Sequence, residues 1–483
     1  MSIQNSYEQE LSARVAEERA AVELIKLISD MWFDKSVKLI MFRKPLMNQR
    51  TSEVLNLIEY AKDFVEQPIN IADTLAVAKE LASLDLAPAK IDLGRLVYQW
   101  IKYQGNHSNM NEFLNIQMQN YLKSDTSNLE PKDVVLYGLG RIGRLLAREL
   151  ITQEGAGEQL RLRAIVIRNN DDNNLIKRTS LLRTDSVHGE FPGSVKADLE
   201  NKAIVINGHS VKVIAASNPE DIDYTAYGIN NALVLDNTGV FTDKEALSRH
   251  MKAKGVAKVL LTAPGKEIPN IVFGANHKEY APEDVDIFSA ASCTTNAITP
   301  ILKVANDSLG IEKGHIETVH AYTNDQNLVD NMHKKNRRGR AAALNMVITS
   351  TGAGKAVVKV IPSLEGKLTA NAVRVPTPNG SLAILNLTVS KATTVKELNG
   401  LMKDAALRGE LVEQINYSIS DELVSSDIVG NSAASIYDSP ATIVSQDGKN
   451  IVMYVWYDNE YGYSRQVMRL AKHVSSVRRN TYY

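Results

Sequence analysis

Along the first 130 residues apolar side chains recur at helical spacing. Leu24, Ile25, Ile28 and Trp32 share one face, and Val54, Leu57, Ile58, Ala61 and Val65 repeat the pattern after a Thr51-Ser52 start able to cap a helix. Leu93, Leu96, Val97, Trp100 and Ile101 form another stripe, and Met110, Phe113, Leu114, Met118, Tyr121 and Leu122 a further one. A stripe covers only one face, so these helices are expected to pack on one another as an all-α N-terminal extension, residues 1–130. The polar stretch 124–131, closed by Pro131, reads as a linker.

Beyond it the pattern changes to short apolar runs separated by turn residues. Runs at 134–137, 163–167, 203–206, 233–235 and 258–261 predict the strands of an α/β unit, residues 131–292, with the C-terminal helical pattern of 459–483 (Val467, Leu470, Ala471, Val474) added to it. Residues 293–458 include the alternating run Ala383-Ile-Leu-Asn-Leu-Thr-Val389. Alternation of that kind predicts an α+β domain with a mainly antiparallel sheet covered on one face.

Composition narrows the function classes. The 483 residues carry a net charge of −1, so no broad field attracts nucleic acid or an anionic membrane. A single cysteine excludes an intramolecular disulfide and a multi-thiolate zinc site. A charged N-terminus and the lack of a run of roughly 20 apolar residues predict a cytoplasmic protein. His107 and His333 have no ligand-like spacing; both are expected at the surface, and no metal site is expected.

The first run leads into Gly138-Leu-Gly-Arg-Ile-Gly-Arg144 and then a helical pattern. Between strand and helix, G-x-G-x-x-G marks a dinucleotide site of the Rossmann type. Gly138 permits the tight turn, Gly140 the approach of a pyrophosphate and Gly143 the packing of helix on strand, with the N–H groups of Arg141 and Ile142 facing the phosphates. The second strand ends on Arg168, and its acids follow only at Asp171 and Asp172. An acid would bind ribose hydroxyls and an arginine a 2′-phosphate, so NAD and NADP both stay open.

The sole thiol lies in Ala291-Ser-Cys-Thr-Thr-Asn296, between an apolar run and a helical pattern. A helix N-terminus stabilises a thiolate and an oxyanion. A lone cysteine is more often buried and inert, but polar neighbours on both sides favour a nucleophile, Cys293. His320 ends the strand-like run 316–320 and is the candidate acid or base. The short basic loop Lys334-Lys-Asn-Arg-Arg-Gly-Arg340, followed by Thr349-Ser-Thr-Gly-Ala353, reads as a phosphate site.

Together with Asp185-Ser-Val-His-Gly189, Thr318-Val-His320, Arg374-Val-Pro-Thr377, Trp456-Tyr-Asp-Asn459 and Gly462-Tyr-Ser464, these motifs resemble the phosphorylating glyceraldehyde-3-phosphate dehydrogenase family over residues 132–483. The resemblance implies Cys293 as nucleophile and His320 as base. It implies Ser292, Thr294, Arg338, Thr351 and Gly352 around inorganic phosphate, and Thr323, Asp325 and Arg374 around the phosphate of glyceraldehyde 3-phosphate. It places Asn459 at the nicotinamide carboxamide, Tyr463 beside the ring, and Thr238, Gly239, Phe241 and Thr262 on the adenine and ribose side. It also implies NAD or NADP, NAD slightly favoured, a homotetramer, and a reversible step of glycolysis or gluconeogenesis.

The chain departs from the family pattern at three places. Ala297 stands where a second cysteine is common, the acid after the second strand is displaced, and Asn331-Met332 replaces the Leu-Pro of many NAD-specific members. The rival readings are an erythrose-4-phosphate dehydrogenase, which often hydrolyses its thioester, and a non-catalytic nicotinamide sensor. The extension lies outside the family core, and its partner is open.

Overall fold

The computed structural model describes residues 3–123, 130–155 and 157–483, so most of the expected linker at 124–131 lies outside the described residues. Two compact units result: residues 131–477, and residues 1–130 together with 478–483.

The larger unit holds two eight-stranded sheets. In the first, Lys132–Tyr137 lies between Leu160–Ile167 and Ala232–Asp236, parallel to both. Val256–Leu261 and Ile287–Ser289 extend the parallel order on one side, and His209–Ala215 on the other. Ala203–Ile206 and Val195–Asp198 close that edge as antiparallel strands. The strand order reverses direction at Lys132–Tyr137, and a sheet of this kind binds ligands in the crevice beyond the carboxyl ends flanking the reversal. Near-continuous apolar runs such as Val134, Val135 and Leu136 follow from burial on both faces. Helix Tyr461–Val474 packs on helix Arg141–Glu154, so the C-terminal helix joins this sheet's core through Val467, Leu470 and Ala471.

In the second sheet Ile311–Ala321 pairs parallel with Leu368–Val375 and antiparallel with Ser381–Val389. Val347–Thr349 forms one edge, and Asn450–Tyr457, Ser435–Asp438 and Ile415–Ser418 run outward on the other side. Most pairs are antiparallel, and alternate residues of Ser381–Val389 are buried, as the alternation at 383–389 predicts. Helix Cys293–Leu309 follows directly from the last parallel strand of the first sheet and packs on this one.

The smaller unit contains the expected helices, here Ile3–Lys35, Thr51–Val65, Ile71–Ser83, Leu93–Tyr103 and Met110–Met118. It is not all-α. Lys44–Pro45, Lys38–Met41, Ala89–Asp92 and Asn480–Tyr482 form a four-stranded sheet in that order. These strands are two to four residues long, too short for a periodic pattern to reveal. The final strand also corrects the expected grouping of 459–483: residues 478–483 belong to the smaller unit. Tyr482 is buried there, its ring 5.8 Å from that of Tyr121 and its hydroxyl donating to Gln117 Oε1 at 3.0 Å. The Thr51-Ser52 start begins the helix but does not cap it; the cap is Arg50, whose N–H donates to Glu53 Oε2 at 2.6 Å. His107 and His333 are half-buried rather than exposed: the His107 ring packs 5.3 Å from Phe113, and His333 Nδ1 accepts from Lys335 N at 2.9 Å.

Candidate active site

Ser292 ends the turn before the cysteine helix and caps it, its Oγ accepting from Thr295 N at 3.0 Å. Ala291 just before it is in the left-handed region, φ 55°, which turns the chain sharply enough to put Cys293 at the helix's first position. The first intrahelical bond runs from Asn296 N to Ser292 O, so the N–H groups of Cys293 and Thr294 have no helical acceptor, and they face the sulfur.

His320 comes from the other sheet, one residue before the end of its strand, and is buried. Its Nε2 lies 3.6 Å from Cys293 Sγ, and its Nδ1 is 2.7 Å from Ala321 O. Tyr457 stands beside both: its ring is edge-on to His320 at 5.9 Å and its hydroxyl is 3.0 Å from Thr294 Oγ1. Burial, and then the charge of Arg374, push the His320 imidazolium down to about 3, so the ring is neutral. Burial pushes the Cys293 thiol up, opposed by Arg374 and the neighbouring N–H groups.

The arginines gather around this pair. Arg374 is the register partner of His320 on the adjacent parallel strand and donates to Ala321 O at 2.8 Å. Arg338 is buried, bonded to Asp325 and, through Nε, to Thr349 Oγ1 at 3.2 Å. Burial raises the Asp325 carboxyl and the bond to Arg338 outweighs it, holding the group below its ordinary value. Asp325 therefore pairs with Arg338 and does not itself offer a donor to an anion. Thr351 and Gly352 stand at the N-terminus of helix Ala353–Val360, with Thr351 Oγ1 accepting from Ala353 N at 3.2 Å. Thr323 begins the turn closed by Gln326 N donating to its carbonyl at 2.9 Å.

The glycine loop has the form the motif requires. Gly138 adopts φ 99°, and a Cβ on Gly143 would lie 2.4 Å from Gly138 O, so that helix can approach the strand only with glycine there. A Cβ on Gly140 would meet nothing within 4 Å, which leaves the backbone open to a ligand. The first bond of helix Arg141–Glu154 is Arg144 N to Gly140 O at 3.0 Å, leaving the N–H groups of Arg141, Ile142 and Gly143 without helical acceptors. A dinucleotide pyrophosphate fits this cradle.

The side chain of Arg141 turns away from the cradle. It forks onto Glu460 and reaches Asp185 Oδ1 and Oδ2 at 3.2 Å each, while His188 Nε2 is 3.0 Å from Glu460 Oε2. Sequence reasoning missed this clasp, although Asp185 and His188 belong to one motif and Glu460 directly follows another. Asn459 is held by Ser381 Oγ donating to its Oδ1 at 2.8 Å, and Tyr463 donates to Ala291 O at 2.9 Å. Tyr463 thus bonds to the turn that carries Cys293, and Asn459 to Ser381, whose Oγ accepts from Ala321 N beside His320. Thr238 donates from N and Oγ1 to Asp236 Oδ1 at 2.9 and 2.7 Å, next to the open Gly239, and Thr262 N donates to Asp236 O at 3.0 Å. Phe241 is buried, its ring 6.2 Å from Tyr137 and 5.7 Å from His250. Arg168 is exposed at the end of its strand. The following acids are engaged elsewhere: Asp171 caps helix Asp172–Arg183, and Asp172 accepts from Lys202 Nζ at 2.7 Å.

Residues 132–244 match the family model for the glyceraldehyde 3-phosphate dehydrogenase NAD binding domain, and residues 292–459 that for its C-terminal domain. The chain belongs to the glyceraldehyde-3-phosphate dehydrogenase family. It is 47% identical over 458 residues to a glyceraldehyde-3-phosphate dehydrogenase-like protein of Pseudomonas aeruginosa, covering 94% of this chain and 98% of that one. It is 43% identical over 344 residues to glyceraldehyde-3-phosphate dehydrogenase 2 of Trichormus variabilis and 41% over 349 residues to the enzyme of Clostridium pasteurianum; each alignment covers 71% of this chain and 98% of the relative. The Pseudomonas alignment is long enough to include most of the first 130 residues, so that relative shares the extension. Membership makes the chain an oxidoreductase with a nicotinamide cofactor, in agreement with the glycine cradle. Among the described residues no helix is long and apolar enough to cross a membrane.

Proposed function

We propose that this chain catalyses the reversible phosphorylating oxidation of glyceraldehyde 3-phosphate to 1,3-bisphosphoglycerate. The observation that carries the reading is the 3.6 Å approach of His320 Nε2 to a thiol at the head of a helix.

The Cys293 thiolate attacks the aldehyde carbon, and the N–H groups of Cys293 and Thr294 hold the oxyanion that forms. His320, carrying the proton of the thiol on Nε2, gives it to that oxyanion to complete the thiohemiacetal hydroxyl and takes it back as the thiohemiacetal is oxidised. A bound nicotinamide supplies the two-electron acceptor for the step that turns the thiohemiacetal into a thioester. A phosphate oxygen then attacks the acyl carbon, the C–S bond breaks, and Cys293 leaves as thiolate, stabilised by the same helix end and by His320. Arg374 and Thr323 bind the phosphate of the substrate. Arg338, Thr351 and Gly352 bind inorganic phosphate with the Ser292 and Thr294 hydroxyls, and Asp325 orients Arg338. The glycine loop, Asn459, Tyr463, Thr238, Gly239 and Thr262 hold the cofactor, with Phe241 supporting the pocket from the core.

An exposed Arg168 and the absence of a free carboxylate at that strand end favour use of both NAD and NADP. We place the enzyme in the cytoplasm as a homotetramer. Cofactor reduction with glyceraldehyde 3-phosphate, measured with NAD⁺ and NADP⁺ and with and without phosphate, tests all of this but the assembly and location. Turnover that needs phosphate is expected. Turnover indifferent to phosphate would move the reading to hydrolysis, and none with either cofactor would defeat it.

A further inference from the structure

Ser381 opens the strand that lies between Ile311–Ala321 and Asn450–Tyr457. The ladder with Ile311–Ala321 stops at Val319 and Leu382, and the N–H of Ala321, just past it, donates to Ser381 Oγ at 3.1 Å. On its other side Ser381 is the register partner of Tyr457, and Oγ lies 2.8 Å from Asn459 Oδ1, two residues further along. Ser381 is fully buried, so its hydroxyl hydrogen needs an acceptor within the protein. Ala321 N only donates, and the neighbouring Tyr457 hydroxyl is paired with Thr294 Oγ1 at 3.0 Å. The acceptor is the amide oxygen of Asn459, which fixes the way that amide faces. A reversed amide would aim a donor at Ser381 and leave the serine hydrogen unpaired.

The main chain around Asn459 is held separately. Buried Asp458 accepts through Oδ1 from Glu460 N at 2.9 Å, Tyr461 N at 2.7 Å and Asn379 Nδ2 at 2.8 Å. Its Oδ2 accepts from Gly430 N at 2.8 Å. Ser381 is thus left to decide the direction of the Asn459 amide. Among the described residues nothing accepts from Asn459 Nδ2, and that nitrogen is not sealed from solvent.

We propose that Ser381 is a positioning residue for the cofactor: it pins the Asn459 oxygen, so that Nδ2 is presented as a donor to the carbonyl oxygen of the nicotinamide carboxamide. This rests on the reading of Asn459 as the carboxamide contact. A carboxamide offers both an acceptor oxygen and a donor nitrogen, and a freely turning asparagine could serve either. Pinning selects the oxygen, and the site is ordered before the cofactor arrives.

Three ligands test this by isothermal titration calorimetry on the full chain: NAD⁺, ADP-ribose, which lacks the nicotinamide, and 3-acetylpyridine adenine dinucleotide, which keeps the carbonyl but has a methyl in place of the amide nitrogen. Their 2′-phosphorylated counterparts serve if the wild type binds those more tightly. Ser381→Ala should bind NAD⁺ about fivefold more weakly, and Ser381→Thr, which keeps the hydroxyl, as the wild type does. ADP-ribose affinity should be unchanged in both, which also shows that each variant is folded. The wild type should bind the acetylpyridine analogue within about threefold of NAD⁺, whereas Asn459→Asp, which sets oxygen against oxygen, should prefer NAD⁺ by about tenfold or more. Wild type rejecting the analogue as strongly as Asn459→Asp does, Ser381→Thr as weak as Ser381→Ala, or an equal loss of ADP-ribose in Ser381→Ala would each overturn the proposal. Asn459→Ala separates the two readings. Unchanged NAD⁺ affinity there would withdraw the carboxamide contact itself, and weakening there without weakening in Ser381→Ala would overturn the role of the serine alone.

Discussion

Cys293 is subject to two opposed influences: burial disfavours its thiolate, while the helix N–H groups and Arg374 favour it. A serine in its place meets the same field with a far less acidic hydroxyl, so Cys293→Ser is expected to remove phosphate-dependent turnover while cofactor still binds. His320→Asn should lower kcat by about 10²–10⁴-fold, the usual worth of a positioned acid–base group, with little change in KM. Steady-state kinetics checks both, and wild-type kcat in His320→Asn would eliminate the base. The same histidine sets part of the response to acid. Its folded value, about 3, is below the ordinary 6.5, so between these pH values the unfolded chain binds more protons at this site than the folded one does. The stability contributed by a neutral His320 is complete above about 6.5 and is withdrawn as pH falls towards about 3. His320→Asn should therefore flatten the fall of the urea midpoint over that window, and an unchanged slope would refute the assignment. Cys293 and His320 were both legible in the sequence from their residue types and the motifs around them. Their 3.6 Å approach was not, because they lie on different elements, 27 residues apart.

At the scale of elements, the cofactor site depends on a helix, a loop and a second helix held together by charge. Arg141 opens helix Arg141–Glu154, Asp185 and His188 come from the loop after helix Asp172–Arg183, and Glu460 immediately precedes helix Tyr461–Val474. Burial raises the Asp185 carboxyl, but the N–H groups of Val187 and His188 and the charge of Arg141 outweigh it and push the group down to about 2. Arg141→Ala leaves two largely buried carboxylates short of their main cation, at a cost of about 3 kcal/mol. Adding Glu460→Gln should recover part of that loss, and purely additive costs in the double-mutant cycle would argue against the clasp. Cofactor affinity should fall along with stability, since Asn459 adjoins Glu460 and the glycine loop adjoins Arg141. The strands and the glycine turn were readable because their signals are local: apolar runs, and glycines whose Cβ would clash. The clasp was not, because a charged side chain looks the same in sequence whether it is solvated or paired.

The whole chain begins and ends in the same compact unit, with residues 131–477 forming the other. Strand Asn480–Tyr482 pairs in parallel with Ala89–Asp92, a partner almost 400 residues earlier, and is the outermost strand of its sheet. No local pattern could announce it, since three residues have no period and their burial depends on a sheet built from the other end of the chain. Its side chains are well anchored within that unit. Tyr482 is buried against Tyr121, Arg95 lies over its ring at 5.2 Å, and Tyr121 Oη donates to Thr481 O at 2.8 Å. The sheet of the smaller unit thus gains its strand Asn480–Tyr482 only once the segment 131–477 has been made. Truncating a buried aromatic costs about 3–5 kcal/mol. Tyr482→Ala, or deletion of residues 480–483, should therefore strip hydrogen-exchange protection from the amides of Ala89–Asp92 and lower the first melting transition. Protection across strand Lys132–Tyr137 and helix Cys293–Leu309 should stay at its original level. Uniform loss over both units would mean that they melt as one cooperative body, and no loss at Ala89–Asp92 would mean that the final strand contributes nothing to the sheet it borders.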